Sequence, residues 1–173
     1  MVTGDRVQLR AIEPSDAEAL WRWHSDPEVM RWMDDPYPPS LALTRKQLEE
    51  RGSDSYGNLN LMIETLDGRT IGIVALREAE PEIGEAKLDI YLGEKDTWGQ
   101  GYATDAMRTI CRYGFGKMRL HRISLTAVAE NEAARRVYEK VGFVEEGRMR
   151  EAFRRDGKWH DKVIMGLLED ELR

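Results

Sequence analysis

Cysteine is almost absent from this chain of 173 residues: Cys111 stands alone, so no disulfide can close within it and no thiolate cluster can hold a metal. Its residue type and place predict a small buried side chain on a helix. The three histidines, His24, His121 and His160, are too scattered in sequence for a zinc ligand set, and no metal is expected. Long apolar runs are missing as well. No stretch of about 18 or more apolar residues occurs, and the opening MVTGDRVQLR lacks the apolar core of a signal peptide, so a cytoplasmic protein with no membrane contact is expected. Positive charge is not in excess: 26 basic against 32 acidic residues give a formal charge of −6, which argues against a nucleic-acid partner. Negative charge suits a cationic small partner, although solubility alone accounts for it.

Three catalytic signatures are also lacking. There is no Gly-x4-Gly-Lys-Ser/Thr phosphate loop. Gly99-Gln100-Gly101 lacks the third glycine of the dinucleotide fingerprint, and no acidic residue sits at the end of the following strand to hold a ribose. No Gly-x-Ser-x-Gly elbow provides a serine nucleophile. Nucleotide hydrolysis, nicotinamide chemistry and serine hydrolysis are therefore disfavoured.

At 41% hydrophobic residues the chain is long enough for one packed domain, expected over 1–173. Val7 to Ala11 alternates as a strand, and Glu13-Pro14-Ser15-Asp16 then opens a helix carrying Ala17, Leu20, Trp21 and His24. Asp26-Pro27 predicts a second short helix through Val29, Met30 and Met33. Trp21, Trp23, Trp32 and Tyr37 crowd this region, either as core or as an aromatic wall beside a pocket. Pro36, Pro38 and Pro39 break the chain before a helix from about Leu41 to Arg51. Asn58–Glu64 and Thr70–Glu78 read as a hairpin turning at Asp67-Gly68. In Glu85–Leu92 one face carries Leu88, Ile90 and Leu92 and the other Lys87, Asp89 and Tyr91.

That strand runs through a charged turn into Gly99 and Gly101, and directly into a helix with Ala103, Ala106, Met107, Ile110, Gly114 and Met118 on one stripe. Glycines let backbone N–H groups turn inward, and a helix start adds unpaired N–H groups and the positive end of its dipole. The fitting guest is a phosphate or pyrophosphate, the alternative being a tight connection with no guest. A strand over Arg122–Val128 leads to a helix over Asn131–Val141, closed by Gly142. Asn131 stands where an N-cap belongs. Tyr138 follows seven residues on, about two turns or ~10.5 Å along the axis and on nearly the same face. From Phe143 the chain reads as a second hairpin, turning at Asp156-Gly157 and returning through Trp159 to Leu168.

Trp98-Gly99-Gln100-Gly101-Tyr102-Ala103, followed at the right distance by Asn131, Ala134, Tyr138, Gly142 and Phe143, resembles the paired signatures of the GNAT acetyltransferase superfamily. The segments WGQGYAT, QLRAIEPSDA, DPEVMRWM and REAFRRDGKWHDKVIMGLL are similar to its ribosomal-protein N-terminal acetyltransferase branch and to spermidine acetyltransferases. The resemblance implies a single mixed α/β domain with a twisted central sheet of about seven strands, two of them splayed into a cleft. It implies acetyl-CoA as donor and a primary amine, a small molecule or a peptide N-terminus, as acceptor. The pyrophosphate would be held by backbone N–H groups of Gln100, Gly101, Tyr102, Ala103 and Thr104, with Gly99 and Trp98 beside them. The pantetheine arm would pair with backbone around Ile90, Tyr91 and Leu92 and meet Asn131 and Ala134. Arg135, Arg136 and Lys140 read as a solvated face, with Arg136 the alternative candidate for a terminal phosphate. Tyr138 would protonate or hydrogen-bond the leaving thiolate.

Asp89 faces the implied cleft as a base, an acceptor anchor or a satisfied surface carboxylate, and Trp32, Met33, Tyr37, Phe153 and Trp159 are the expected acceptor walls. Trp98 replaces the family's basic or amide residue, which leaves open whether its side chain helps to hold the phosphates. A non-catalytic acyl-CoA-binding domain is the competing reading, and a homodimer through the exposed hairpin is possible.

Overall fold

A computed structural model describes residues 1–34 and 37–173 of the chain. Its strands are β1 (Val2–Thr3), β2 (Val7–Ala11), β3 (Asn58–Thr65), β4 (Thr70–Glu80), β5 (Glu85–Leu92), β6 (Arg122–Val128), β7 (Val144–Arg155) and β8 (Lys158–Leu168). The helices are α1 (Ala17–His24), α2 (Leu41–Glu49), α3 (Tyr102–Gly116) and α4 (Glu132–Val141). Among the described residues the strands form one sheet in the order β1-β2-β3-β4-β5-β6-β8-β7. Every neighbouring pair in it is antiparallel except β5 with β6, which are parallel. The strand beyond the seven expected is β1, whose two residues pair with Leu9 and Gln8 and are too few to show a pattern in sequence. None of the described helices is long and apolar enough to cross a membrane.

Each face of the sheet buries its own apolar set. Val7, Leu9, Ile63, Val74, Leu76 and Leu88 meet Ala106, Met107 and Ile110 of α3 and Val141 of α4. Met62, Ile73 and Tyr91 on the opposite face meet Leu20, Trp23, Val29 and Met30. Met107 and Ile110 are fully buried, and each contributes about 1.5–3 kcal/mol by leaving water. Cys111 is buried in the same layer and its thiol is pushed up by desolvation, as suits a packing residue.

Two local expectations are corrected. The segment after Asp26-Pro27 is a run of turns and not a helix. Asp26 Oδ1 accepts from the N–H of Glu28 and Val29, and one helical bond forms from Met30 N to Asp26 O at 3.0 Å. Val29 and Met30 then go into the core while Trp32 turns toward the β7–β8 hairpin, and the Met33 carbonyl accepts from Arg155. A continuous helix could not satisfy both anchors. On α1 the deeply buried tryptophan is Trp23, with Trp21 only half-buried, because Trp23 reaches β5 and its Nε1 donates to Glu94 at 2.8 Å. The break before α2 holds at Pro38 and Pro39; Pro36 lies outside the described residues.

Candidate active site

β5 and β6 begin as neighbours and then part. Their pairing covers Glu85 with Arg122, Ala86 with Ile123 and Lys87 with Ser124, and no pair follows from Leu88 onward. The parting leaves part of one edge of β5 without a strand. Gly93 N donates to Ile71 O, so in this antiparallel ladder the odd positions of β5 bond to β4. The N–H and C=O groups of Leu88, Ile90 and Leu92 therefore point into the gap. Tyr91 bonds within the β4 ladder, so its own backbone groups face away from the gap, whereas those of Leu88 face into it. The parity of the strand carried that signal, but only the register reveals which parity faces the opening.

The mouth of the gap is built from the glycine loop. Gly99 and Gly101 have φ of 73° and 86°, a region that side chains with a Cβ enter at a cost of about 1–2 kcal/mol. Gly101 is the N-cap of α3, so the N–H groups of Tyr102, Ala103 and Thr104 form an open helix start. A Cβ on Gly99 would meet nothing within 4 Å, so its backbone stands clear for a bulky anion. Trp98 donates its indole N–H to Leu92 O at 3.0 Å and closes that end of the β5 edge. Gln100 bonds by its side chain to Asp96 O, leaving its backbone for the loop.

Sequence reading missed the residue that brings positive charge here. Asp105, buried in the first turn of α3, accepts from the N–H of Asp5 at 3.2 Å, Arg6 at 2.8 Å and Val7 at 3.0 Å. This ties the β1–β2 turn against α3, and Arg6 Nη1 donates to Gln100 O at 3.4 Å. A carboxylate on three backbone donors across about a hundred residues leaves no local sequence signal.

Tyr138 reaches the site from α4. Its ring is buried beside Phe143 at 6.3 Å, and its hydroxyl has no hydrogen bond to the described residues. Burial, and then the charge of Asp89, push its pKa up to about 12. It keeps its proton throughout the physiological range. Asn131 caps α4, its Oδ1 accepting from Ala134 N at 3.3 Å, which leaves the amide NH₂ of the same side chain for another acceptor. Arg136 is exposed and paired with Glu132 at 2.8 Å. Both border a cleft of about 450 Å³ that is also lined by Trp32 and Arg31.

Asp89 is half-exposed on β5 and is held by Arg77 of β4, whose Nε and Nη2 both donate to Oδ2. That engagement opposes a role as free base and leaves Oδ1 open. Of the expected acceptor walls, Trp32 and Phe153 stand 6.3 Å apart and share His160, at 5.6 and 6.2 Å. Met33 is tied to the same hairpin by its carbonyl, which accepts from Arg155, while its side chain packs on the cluster of Leu20, Trp23 and Met30. Tyr37 and Trp159 do not join the group. Tyr37 is 82% exposed, and Trp159 is 58% exposed with Arg154 stacked on it.

A splayed parallel pair, a glycine-started helix at its mouth and a buried tyrosine on the next helix match what the two sequence signatures implied. Residues 6–144 match the acetyltransferase (GNAT) domain family. The chain belongs to the GNAT acetyltransferases. Within the family it is 30% identical to a putative ribosomal N-acetyltransferase of Bacillus subtilis, over 96% of this chain and 93% of that one. It is 27% identical to the spermidine N(1)-acetyltransferase of Escherichia coli K12, over 99% and 90%. A GNAT-family acetyltransferase from Bacillus anthracis superposes with a TM-score of 0.84 at 25% identity, covering 98% of this chain and 99% of that one. Spermidine N-acetyltransferase from Vibrio cholerae, solved with CoA and spermine, superposes with 0.82 at 26% identity, covering 95% and 96%. The chain is an N-acetyltransferase by family, and its mixed α/β fold is the family fold.

Proposed function

We propose that the whole chain acts as one acetyl-CoA-dependent N-acetyltransferase domain that transfers the acetyl group directly to a primary amine. The observation that carries the reading is the conjunction of the β5 edge, unpaired with β6 from Leu88 onward, with a buried Tyr138 that feels the charge of Asp89 on the same strand. Acetyl-CoA supplies an activated thioester. The N–H groups of Tyr102, Ala103 and Thr104, with those of Gln100 and Gly101, hold its pyrophosphate, and Arg6 adds charge. The edge groups of Leu88 and Ile90 and the N–H of Leu92, with the Asn131 amide, orient the arm. This fixes the thioester carbon against an incoming amine, so positioning contributes most of the rate.

The new N–C bond forms as the C–S bond breaks. The ammonium first loses one proton to water to become the neutral nucleophile; as the C–S bond breaks Tyr138 gives its proton to the departing sulfur, and the second proton of the amine returns through water to the Tyr138 oxygen. Asp89 acts as an anchor for the ammonium before its first proton is lost, its Oδ2 being held by Arg77. A pure acyl-CoA binder needs no acid at the sulfur, so the buried, protonated Tyr138 favours the enzyme. The B. subtilis and E. coli relatives favour a protein N-terminus or a polyamine as acceptor. The test is thiol release from acetyl-CoA across a panel of peptides, polyamines and amino sugars. Amine-dependent release supports the enzyme; tight acetyl-CoA binding with no release across the panel supports the binder.

A further inference from the structure

We infer that the cavity of about 720 Å³ between the α1–α2 turn and the tip of the β7–β8 hairpin binds an oxyanion carried by the acceptor, through Arg31 and Arg155. The inference rests on the amine-acetyltransferase reading and adds a substrate class to it. Arg155 is half-buried and fixed: its guanidinium lies 5.1 Å from the Phe153 ring centre, and its Nη2 donates to Met33 O. Its Nε is buried without a hydrogen-bond partner, and no carboxylate pairs with it among the described residues. Arg31 is exposed, stacked at 4.9 Å over Trp32, and equally without a carboxylate.

Two guanidiniums held on aromatic rings have little side-chain freedom left to lose, and an oxyanion matches their fork geometry. An unpaired buried donor makes the same demand. The acids that line this cavity do not meet it. Glu28 is bonded to Lys95 at 2.9 Å, and Asp156 is an exposed residue of the hairpin turn.

Arg31 also borders the 450 Å³ cleft that contains Asn131, so the two cavities meet at this side chain. On the other side His24 Nε2 lies 2.8 Å from the Tyr91 hydroxyl, which joins the cavity to β5. The ligand is thus an amine that also bears a carboxylate or a phosphate, and a bare polycation leaves both arginines unused.

The experiment measures kcat/KM with peptide amides that carry Glu or Gln one, two or three residues from the free amine. A second arm replaces them with phosphoserine and serine, and spermidine is included. The inference expects the best acid-bearing acceptor to exceed its neutral partner by about tenfold to a hundredfold, mainly in KM, as for charge-assisted hydrogen bonds. The two arms show whether carboxylate or phosphate is preferred. Arg31→Gln, which breaks no hydrogen bond to the described residues, should bring the ratio close to one, and Arg155→Lys should recover less than the full ratio of the unmodified protein.

Equal rates for acid and neutral partners, or a ratio that survives in both variants, overturn the inference while leaving the amine acetyltransferase intact. Spermidine exceeding every acid-bearing peptide does the same. Absence of thiol release with any amine, beside tight acetyl-CoA binding, overturns both.

Discussion

Tyr138 and Asp89 show at the scale of one residue how position sets chemistry. A tyrosine titrates near ~10 in water. Burial and the nearby Asp89 carboxylate move Tyr138 to about 12, so the neutral acid is the species present at working pH. The amine must be neutral to attack, so kcat/KM should rise with pH until the acceptor's own ammonium has titrated, about 8 for a peptide N-terminus, and then stay level to about pH 10. A fall centred well below pH 10 would show a different acid. The raised value also contributes stability that is complete below the unfolded-state value of about 10 and is lost as pH rises through the folded value.

For Asp89 the expected result of Asp89→Asn is a higher acceptor KM with kcat reduced less than about tenfold, since a true general base is worth about 10²–10⁴. A hundredfold loss of kcat would restore the carboxylate as base. Sequence placed both residues facing a cleft. It could not show Arg77 on Asp89, because that partner comes from the neighbouring strand through a register no local pattern reveals.

Elements came through the sequence where they close locally, and failed where a distant contact decides them. α4 is legible end to end: Asn131 caps it, and Gly142 terminates it with φ of 118°, where a Cβ would lie 2.1 Å from Glu171 O. The turn after α1 reads as a helix start and stops after one turn, because Trp32 and the Met33 carbonyl are claimed by the β7–β8 hairpin. The α3 start was legible from its two glycines, and its partner Arg6 was not. Gly101→Ala should cost about 1–2 kcal/mol of stability through its positive φ. It should also weaken acetyl-CoA binding, seen by calorimetry, because the N–H groups behind it are re-aimed. Arg6→Ala should weaken the same binding several-fold at low salt and little at high salt, as an exposed charge does. Salt-independent loss would mean that the turn itself had moved.

At the scale of the molecule, one sheet serves two purposes. Its α3–α4 face is packed and includes Tyr138, its opposite face packs Leu20, Trp23, Val29 and Met30, and Trp32, Phe153 and His160 group at the β7–β8 hairpin. The tie that keeps the start of α3 in register with the β1–β2 turn is Asp105, whose carboxylate satisfies three backbone donors. Asp105→Ala should destabilise by about 3 kcal/mol, or about 6–12 °C in Tm, measured by thermal unfolding. The central claim concerns chemistry in the gap between β5 and β6. It is tested most directly by the turnover of Tyr138→Phe alongside calorimetry of its acetyl-CoA binding. The account predicts a kcat lowered by about 10²–10⁴ with donor affinity unchanged, and kcat equal to that of the unmodified protein would contradict it.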